Sequence, residues 1–386
     1  MQSSQLVIAA ISLILILIMV PLAYADTVIA TIPDGNDPEW ISVNPIKNKV
    51  YVSSESSKDV TVINGATDVQ IGAAITVGGF MPEGIGVNSV TNKIYVALND
   101  NNAVDVIDGA TDTLTGTSIP VGSGPRGLAV NQVTNKIYVA NQGGNTVTVI
   151  DGATDTVLVA AIAVGNAPYA VGVNPVTNKI YVTNQNGNTV TVIDGATDTV
   201  LGAPIAVGIF PSGVGVNSAT NRIYVSNTFD GTVTVIDSGT DTVLGSPITV
   251  GTAPRQLAAD TVRNLIFVAN RGDNTVTVID GATNTVLGAP IPVGKFPHGL
   301  DVNSVTCKTY VGNVGENNPS DTVSVISCRT TTPPPLGSPV GGQIIPVDMT
   351  SLFIAGAMTN AFWMIPTFGG IAGAVITLFK IKRKHS

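Results

Sequence analysis

The chain has 386 residues, of which 26 are acidic and 18 basic, and its formal net charge is −8. Four of the basic residues lie in the C-terminal tail, and all of the acidic ones lie between the two apolar ends of the chain. The region between those ends therefore has 14 basic and 26 acidic residues, a net charge of about −12. A field of this sign excludes nucleic acid and anionic membrane surfaces as partners.

The first 25 residues have the pattern of a signal peptide. An uncharged apolar stretch, "LVIAAISLILILIMV", leads to Ala23-Tyr24-Ala25, the small-x-small sequence of a signal peptidase site. Residues 1–25 are therefore predicted to direct export. Because no Lys or Arg precedes the apolar stretch, an uncleaved anchor is the alternative.

Residues 26–328 repeat one sequence unit seven times. The clearest marker is the aromatic residue of "KIYV", which recurs after one step of 44 residues and then five steps of 43. Its positions are Tyr51, Tyr95, Tyr138, Tyr181, Tyr224, Phe267 and Tyr310. A fixed period of this length is typical of solenoids, propellers and arrays.

Each unit contains four β-strand patterns. In one copy they are "YAVGVN", "NKIYVTN", "NTVTVIDG" and "TVLGAPIAVG", each bounded by Gly, Pro, Asn or Asp. Four strands in one such unit match a propeller blade, so we predict an all-β, seven-bladed β-propeller. The segment Asp26–Pro38 is similar to the end of a repeat. This similarity predicts that the N-terminal strand completes the last blade and covers an open sheet edge.

The units resemble the YVTN β-propeller repeat family. The resemblance rests on "NKIYVTN" followed by "NTVTVIDGATDTV" and covers residues 26–328. Members of this family are commonly surface or secreted proteins of archaea and bacteria, so the resemblance implies a cell-surface or surface-layer-like protein. It implies the fold more strongly than an activity, because propellers include binding proteins and several enzyme classes.

The recurring "DGATDT" has two interpretations. Asp151 and Asp155 of one copy carry the oxygen ligands that calcium prefers, but the same letters recur in blade after blade, as a structural turn would. We therefore predict a turn between two strands, with Gly152 at positive φ. No metal or cofactor site is predicted from the sequence.

Comparison of the seven copies places the variation on one face of the disc. The turns "VNPVTNK" and "DGATDT" are nearly constant, whereas the loops on the opposite face differ, for example "SSESSKD", "NQGGN", "NQNGN" and "NRGDN". The first residue after the proline that opens each unit is, in order, Glu39, Glu83, Arg126, Tyr169, Ser212, Arg255 and His298. Trp40 stands where four copies have Gly. These eight residues predict a binding site around the channel mouth; the alternative is a solvated loop surface.

Catalytic motifs are scarce. His298 is the only histidine between the apolar ends, which excludes a histidine metal cluster, and a Ser-His-Asp triad would depend on this one residue. The alternative to a binding protein is an extracellular propeller enzyme, by analogy a lactonase-like hydrolase or a quinoprotein-like oxidoreductase, that uses the same channel mouth.

The only cysteines, Cys307 and Cys328, both lie in the last repeat. Their counterparts in the preceding repeat, Asn264 and Gly281, lie at equal distances from the centre of one hairpin loop, so the two positions are directly opposed. We predict a disulfide between Cys307 and Cys328, as suits an exported protein. Two free thiols are the alternative.

The C-terminal region has three predicted parts. Residues 329–350 are rich in Thr and Pro and predict an extended stalk. The hydrophobic region 351–379 contains an uncharged segment, about 361–379, that is long enough for one transmembrane helix, and the basic tail 380–386 predicts a cytoplasmic end. The segment Pro366–Gly369 resembles an archaeal sorting signal but has Thr367 at its second position, which leaves processing open.

These features together predict a single-pass type I protein of the cell membrane with an extracellular, monomeric propeller. The expected function is binding, adhesion or a structural role in the cell envelope. The expected partner is a cell-envelope protein or glycan, bound through the variable loops around the channel.

Overall fold

The chain forms a seven-bladed β-propeller, as predicted. The computed structural model describes residues 26–35, 37–315 and 321–327. Their strands form seven antiparallel sheets, four with four strands and three with five. The innermost strands of neighbouring sheets contact one another in a closed ring, from the first blade to the seventh and back to the first.

The three inner strands of each blade follow one another along the chain. The innermost strands of blades one to seven are Pro38–Asn44, Pro82–Asn88, Pro125–Asn131, Pro168–Asn174, Pro211–Asn217, Pro254–Asp260 and Pro297–Asn303. The second strands are Lys49–Ser54, Lys93–Leu98, Lys136–Asn141, Lys179–Asn184, Arg222–Asn227, Leu265–Asn270 and Lys308–Asn313. The third strands are Asp59–Asn64, Ala103–Asp108, Thr146–Asp151, Thr189–Asp194, Thr232–Asp237, Thr275–Asp280 and Thr322–Ser327.

The outer strands are less regular than the sequence pattern suggests. They are continuous in blades two to four, at Thr113–Pro120, Thr156–Ala163 and Thr199–Ala206. In blades one, five and six each is split in two, at Val69–Gln70 and Ile75–Thr76, Thr242–Val243 and Ile248–Thr249, and Thr285–Val286 and Ile291–Pro292. In these three blades a glycine between the two pieces is left-handed, with φ between 63° and 66°. Gly116 and Gly202 are also left-handed, but there the strand continues and only its register shifts.

The N-terminal strand, Thr27–Pro33, lies at the outer edge of the seventh blade. It pairs antiparallel with Thr322–Ser327, and the register shifts between Val28 and Ala30. The seventh sheet is therefore assembled from the two ends of the described chain.

The core lies between the blades. The seven aromatic side chains of the "KIYV" positions are all fully buried, and they pack with Val and Ile side chains of the strands on either side. Successive side chains of a third strand point to opposite faces of the sheet, so these branched side chains lie on both faces. Each sheet therefore packs against the sheets of the two neighbouring blades, and only the outer edges of the sheets lie at the rim of the disc.

The loops fall on two faces of the disc. The mouth face carries the loop before each innermost strand and the loop after each second strand, and the turn face carries the other two connections. Asp26 precedes the N-terminal strand on the turn face, and the last third strand ends at Ser327 on the same face. Both ends of the described propeller therefore lie on the turn face.

The prediction for the "DGATDT" turn was wrong in one respect. Gly152 does not have positive φ; the left-handed residue is Asp155, with φ of 57°. The Asp151 carboxylate instead accepts a hydrogen bond from the backbone N–H of Ala153, at 2.7 Å. Glycine is required at position 152 for space, because a Cβ atom there would lie 2.5 Å from Oδ1 of Asn135.

Several predicted segments lie outside the described residues. These are the signal peptide 1–25, the stalk 329–350, the hydrophobic region 351–379 with its transmembrane helix, the tail 380–386, and Cys328. The part of the chain that is described contains no helix with the length and apolar character needed to cross a membrane.

Candidate binding site at the channel mouth

A cavity of about 260 Å³ lies on the mouth face; we call it the mouth cavity. Innermost strands and the loops after second strands supply most of its lining. The lining side chains are Glu39, Glu55, Arg126, Gln142, Tyr169, Gln185, Phe210, Arg255, Arg271 and His298. They come from six of the seven blades, so the cavity is a feature of the assembled ring and of no single repeat.

The backbone explains why the residue after each proline reaches the channel. In all seven copies the residue before the proline is left-handed, with φ between 50° and 62°. Non-glycine residues adopt this conformation rarely, yet it recurs here at Phe210 and Phe296 among others. The left-handed residue and the fixed φ of proline together direct the chain into the innermost strand, so the following side chain has a defined position.

The structure brings five of the eight predicted site residues together around the mouth cavity: Glu39, Arg126, Tyr169, Arg255 and His298. The other three lie behind it. Glu83 and Ser212 are fully buried, and Trp40, which is 8% exposed, lines the central channel below the cavity. Their placement follows from packing between blades, which position in the repeat alone does not reveal.

His298 connects Glu39 to Tyr169. Its Nδ1 lies 2.9 Å from Oε2 of Glu39, and its Nε2 lies 3.4 Å from the hydroxyl oxygen of Tyr169. Burial raises the pKa of Glu39, but the charges of His298, Arg271 and Arg126 outweigh it and hold the pKa below its ordinary value. Glu39 is therefore a carboxylate held in place by His298.

Tyr169 and Trp40 mark the boundary between the mouth cavity and the channel. Their ring centroids are 5.8 Å apart, with Tyr169 on the cavity side and Trp40 on the channel side. Burial, followed by the negative charge of Glu39, raises the pKa of Tyr169 to about 12, so the hydroxyl keeps its proton at neutral pH. Below the two rings, the channel has a volume of about 350 Å³ and is lined mainly by Val, Ile, Leu, Ala and Gly residues of the innermost strands.

Arg126 is fixed by two partners. It forms an ion pair with Glu83, whose other oxygen accepts a hydrogen bond from Nε1 of Trp40 at 3.3 Å. Nε of Arg126 donates to Oε1 of Gln142 at 3.2 Å. The positive charge of Arg126 is therefore balanced by the carboxylate of Glu83.

A row of hydrogen bonds continues from Gln142 across the neighbouring blades. Nε2 of Gln142 donates to Oε1 of Gln185 at 3.0 Å, and Nε2 of Gln185 donates to Oγ of Ser212 at 3.2 Å. Ser212 in turn contacts the hydroxyl of Thr228 at 2.7 Å. Each amide orients the next, so this wall of the cavity is preorganised.

Arg255 and Arg271 differ from Arg126. The Nε atom of each is buried without a hydrogen-bond partner, and within the described residues neither guanidinium forms an ion pair. Arg271 lies over the ring of Phe296, 5.5 Å from its centroid. Burial, together with the positive charges of Arg271 and Arg126, lowers the pKa of Arg255.

Glu55 also lines the mouth cavity, and its charge is opposite in sign to those of Arg255 and Arg271. Burial, followed by the negative charge of Glu39, raises the pKa of Glu55. Its carboxylate has no ion-pair partner in the described part of the chain. Glu39 and Glu55 thus give the cavity an acidic side supplied by the first blade.

The residues that the sequence did not single out share one repeat position. Glu55, Gln142, Gln185 and Arg271 each follow the second strand of their blade directly. The loops that contain them were predicted to contribute, but the residues were not named. Comparison of the copies at this position would have found all four, because it varies as widely as the position after the proline. Phe210 precedes the proline, at a position that also varies among the copies but that the sequence analysis did not consider.

The donor set of the cavity does not match a metal site. No group of three or more His, Cys, Asp or Glu side chains suited to a metal ion occurs among residues 26–35, 37–315 and 321–327. The cationic side chains at the mouth would in addition oppose a cation.

The fold and the site define a seven-bladed β-propeller with a charged cavity at one end of its channel. Among solved structures, the chain is similar to hydrazine synthase from Kuenenia stuttgartiensis, with a TM-score of 0.66 and 20% sequence identity over 80% of this chain and 98% of that chain. At this identity the likeness shows the fold alone. No family model matches the chain, and no curated protein matches it.

Proposed function

We propose that this protein is a binding module that captures its ligand in the mouth cavity. One observation carries the proposal: ten side chains of mixed charge, amide and aromatic character from six blades line a single cavity on the mouth face. The turn face, in contrast, repeats nearly the same residues in every blade. Loops that vary on a rigid scaffold are where binding sites lie in other folds.

The proposed setting is the cell surface. The YVTN-like repeats, the signal-peptide pattern of residues 1–25 and the apolar segment 361–379 support a single-pass type I protein with an extracellular propeller. The partner would then be a protein or glycan of the cell envelope. The last described strand ends at Ser327 on the turn face, the face opposite the mouth cavity.

The binding proposal is tested with the full-length chain on a panel of envelope glycans and proteins. Replacement of Arg126, Tyr169 and Arg255 together by Ala is expected to abolish the capture of any panel member that the wild type binds. The matched control is Val133→Ala, a change at a side chain that is 70% exposed on the turn face. Equal binding by all three proteins would show that the mouth residues do not take part.

The topology proposal is tested on intact cells. Protease added from outside is expected to release a propeller-sized fragment by cleavage between Arg329 and Val347. Complete protection in cells whose surface is open to protease would contradict an extracellular propeller.

A second candidate function is an extracellular enzyme, and one observation favours it. The row Glu39, His298 and Tyr169 links a carboxylate, an imidazole and a hydroxyl, as acid–base sites do. The raised pKa of Tyr169 argues against it, because a nucleophile or base needs the opposite shift. Turnover of ester or lactone substrates that is lost in His298→Ala would favour the enzyme over the binding module.

A further inference from the structure

Two positive charges in the mouth cavity lack a counter-charge. Arg126 is paired with Glu83, whereas Arg255 and Arg271 have no ion-pair partner in the described residues. Both are half-buried and line the same cavity. Like charges that share a cavity destabilise each other unless an anion lies near them.

The Nε atoms of these two arginines support the same interpretation. Each is buried and has no hydrogen-bond partner. Buried polar groups in folded proteins are nearly always hydrogen-bonded, and an unpaired one indicates an absent partner or a functional role. Two such donors on neighbouring cationic side chains indicate an acceptor that carries negative charge.

The charge balance of the cavity limits the size of that negative charge. Glu39 is held by His298, so the side chains without a partner are Arg255, Arg271 and Glu55. Two guanidinium groups and one carboxylate of the cavity are thus without a bonding partner. A ligand group with a single negative charge fits this balance, whereas a dianion would be repelled by the carboxylates of the first blade.

The shape of the donors and the rim favour an organic carboxylate. A guanidinium is planar and matches the two oxygens of a carboxylate in a bidentate pair. Phe210 lines the cavity and stacks on Phe229, with centroids 4.6 Å apart, and Phe229 is 69% exposed. The apolar rings give the carbon skeleton of a ligand a surface to pack against, which an inorganic anion would not use.

We infer that Arg255 and Arg271 bind the carboxylate group of a ligand in the mouth cavity, an inference that rests on the proposed binding function. A small carboxylic acid and a uronate residue of a glycan share this chemistry. The cavity of about 260 Å³ accepts one such unit. The overall negative charge of the propeller does not oppose it, because the arginines act at contact distance and the other charges are screened by salt.

The test is calorimetric titration of the full-length protein with glucuronate, glucose and inorganic sulfate. Glucuronate is expected to bind at least 10-fold more tightly than glucose, which lacks the carboxylate, and than sulfate. Arg255→Gln and Arg271→Gln are each expected to weaken glucuronate binding at least 10-fold. Lys47→Gln removes one positive charge from an exposed position on the turn face and is expected to change nothing.

Folding of the variants is checked separately by thermal unfolding. Arg271→Lys keeps the charge but not the planar donor pair, so it is expected to bind glucuronate with intermediate affinity while it unfolds at the wild-type temperature. A uronate-containing oligosaccharide that binds more tightly than free glucuronate identifies a glycan as the source. Equal or weaker binding identifies a small acid.

The inference is overturned by equal affinity for glucose and glucuronate, by tighter binding of sulfate, or by glucuronate binding that neither arginine change affects. Absence of glucuronate binding also overturns it. If an envelope ligand from the panel still depends on the mouth residues in that case, the binding proposal stands and only the carboxylate assignment is wrong.

Discussion

Lys136 of the third blade donates a hydrogen bond to Asp198 of the fourth, with Nζ 2.7 Å from Oδ2. The buried hydroxyl of Tyr138 donates to the other carboxylate oxygen, Oδ1, at 2.8 Å. The second Asp of "DGATDT" is therefore a clamp between blades. The same ion pair recurs as Lys49 with Asp112, Lys93 with Asp155, Lys179 with Asp241 and Lys308 with Asp68.

The sixth blade shows what the clamp requires. Leu265 and Phe267 stand where the other blades have a basic residue and, in the aromatic position, Tyr. The blade that follows takes its outer strand from the N-terminus, so no "DGATDT" turn joins its third and outer strands. The donors are thus replaced by apolar side chains at the junction that lacks this turn. At the junction of the fifth and sixth blades the turn is present, and Asn284 replaces the Asp as acceptor for Arg222 and Tyr224.

Asp198→Ala is expected to lower the free energy of unfolding by about 2 kcal/mol, because it leaves the buried Tyr138 hydroxyl with only the distant Gly195 carbonyl, at 3.5 Å, and Lys136 without its counter-charge. The measurement is urea unfolding at neutral pH. The control is the triple change Lys136→Leu, Tyr138→Phe and Asp198→Ala, which copies the sixth blade. It is expected to cost less than the single change; a larger loss would show that the clamp is not the cause.

The architecture could be predicted because it is encoded in the period. Seven copies of a four-stranded unit give every blade two neighbours only when they close into a ring. The positions of the repeated prolines located the innermost strands. The clamp could not be predicted in the same way. Lys136 and Asp198 are 62 residues apart, and only the crossing from one blade to the next brings them together.

The candidate site could be predicted in part for a related reason. Copy comparison identified the variable face and the residue after each proline, which fixed Arg126, Tyr169 and Arg255 as candidates. It could not distinguish side chains that face the cavity from those buried behind it, such as Glu83, because that depends on packing across blades. Likewise, Asp and Gly both tolerate left-handed backbone, so the turn sequence did not decide which one adopts it.

Gly152→Val is expected to destabilise the propeller by about 2 kcal/mol through crowding, since a Cβ atom would lie 2.5 Å from Asn135 Oδ1 and 2.6 Å from Asn88 Nδ2. Gly152→Ser is expected to cost less. The fifth blade already has Ser238 at this position, where its hydroxyl accepts a hydrogen bond from Asn174 at 2.9 Å. Thermal unfolding of both variants checks the order; equal losses would contradict the crowding argument.

Asp301 is expected to make stability depend on pH. Its carboxylate lines the channel and accepts hydrogen bonds from the backbone N–H groups of Val43 and Val302, each at 2.8 Å. Burial outweighs these bonds and raises the pKa to about 6, above its ordinary value of 3.8. Because the pKa of Asp301 is higher in the folded state than in the unfolded state, protonated Asp301 favours the folded state. This contribution to the free energy of unfolding is complete below pH 3.8 and is lost as the pH rises through 6.

The free energy of unfolding should therefore fall by about 1 to 3 kcal/mol from this group between pH 4 and 7, since one pKa unit corresponds to about 1.4 kcal/mol. Asp301→Asn is expected to flatten that part of the pH profile, whatever its effect on absolute stability. The control is Asp100→Asn, at an exposed loop position, which should leave the slope unchanged. Identical slopes for wild type and Asp301→Asn would rule out this assignment.

The last blade predicts a disulfide between Cys307 and Cys328, although Cys328 lies outside the described residues. Lys308 and Ser327 are directly paired in the described sheet, and the two cysteines are the next residues outward. In the sixth blade the equivalent residues are Asn264 and Gly281, and the Gly281 N–H donates to the Asn264 carbonyl at 2.8 Å. The Asn264 side chain extends over Gly281, where a Cβ atom would overlap it.

Directly opposed residues of an antiparallel pair have Cα atoms roughly 4.5 to 5.5 Å apart, a distance that a disulfide spans. Closing the 20-residue loop between them should stabilise the blade assembled from both chain ends by about 3 kcal/mol. Mass spectrometry of unreduced protein exported by its own host is expected to find the two cysteine peptides joined. Reduction, or Cys307→Ser, should then lower the free energy of unfolding by a similar amount. Recovery of both thiols in alkylated form from the exported protein would instead establish two free cysteines.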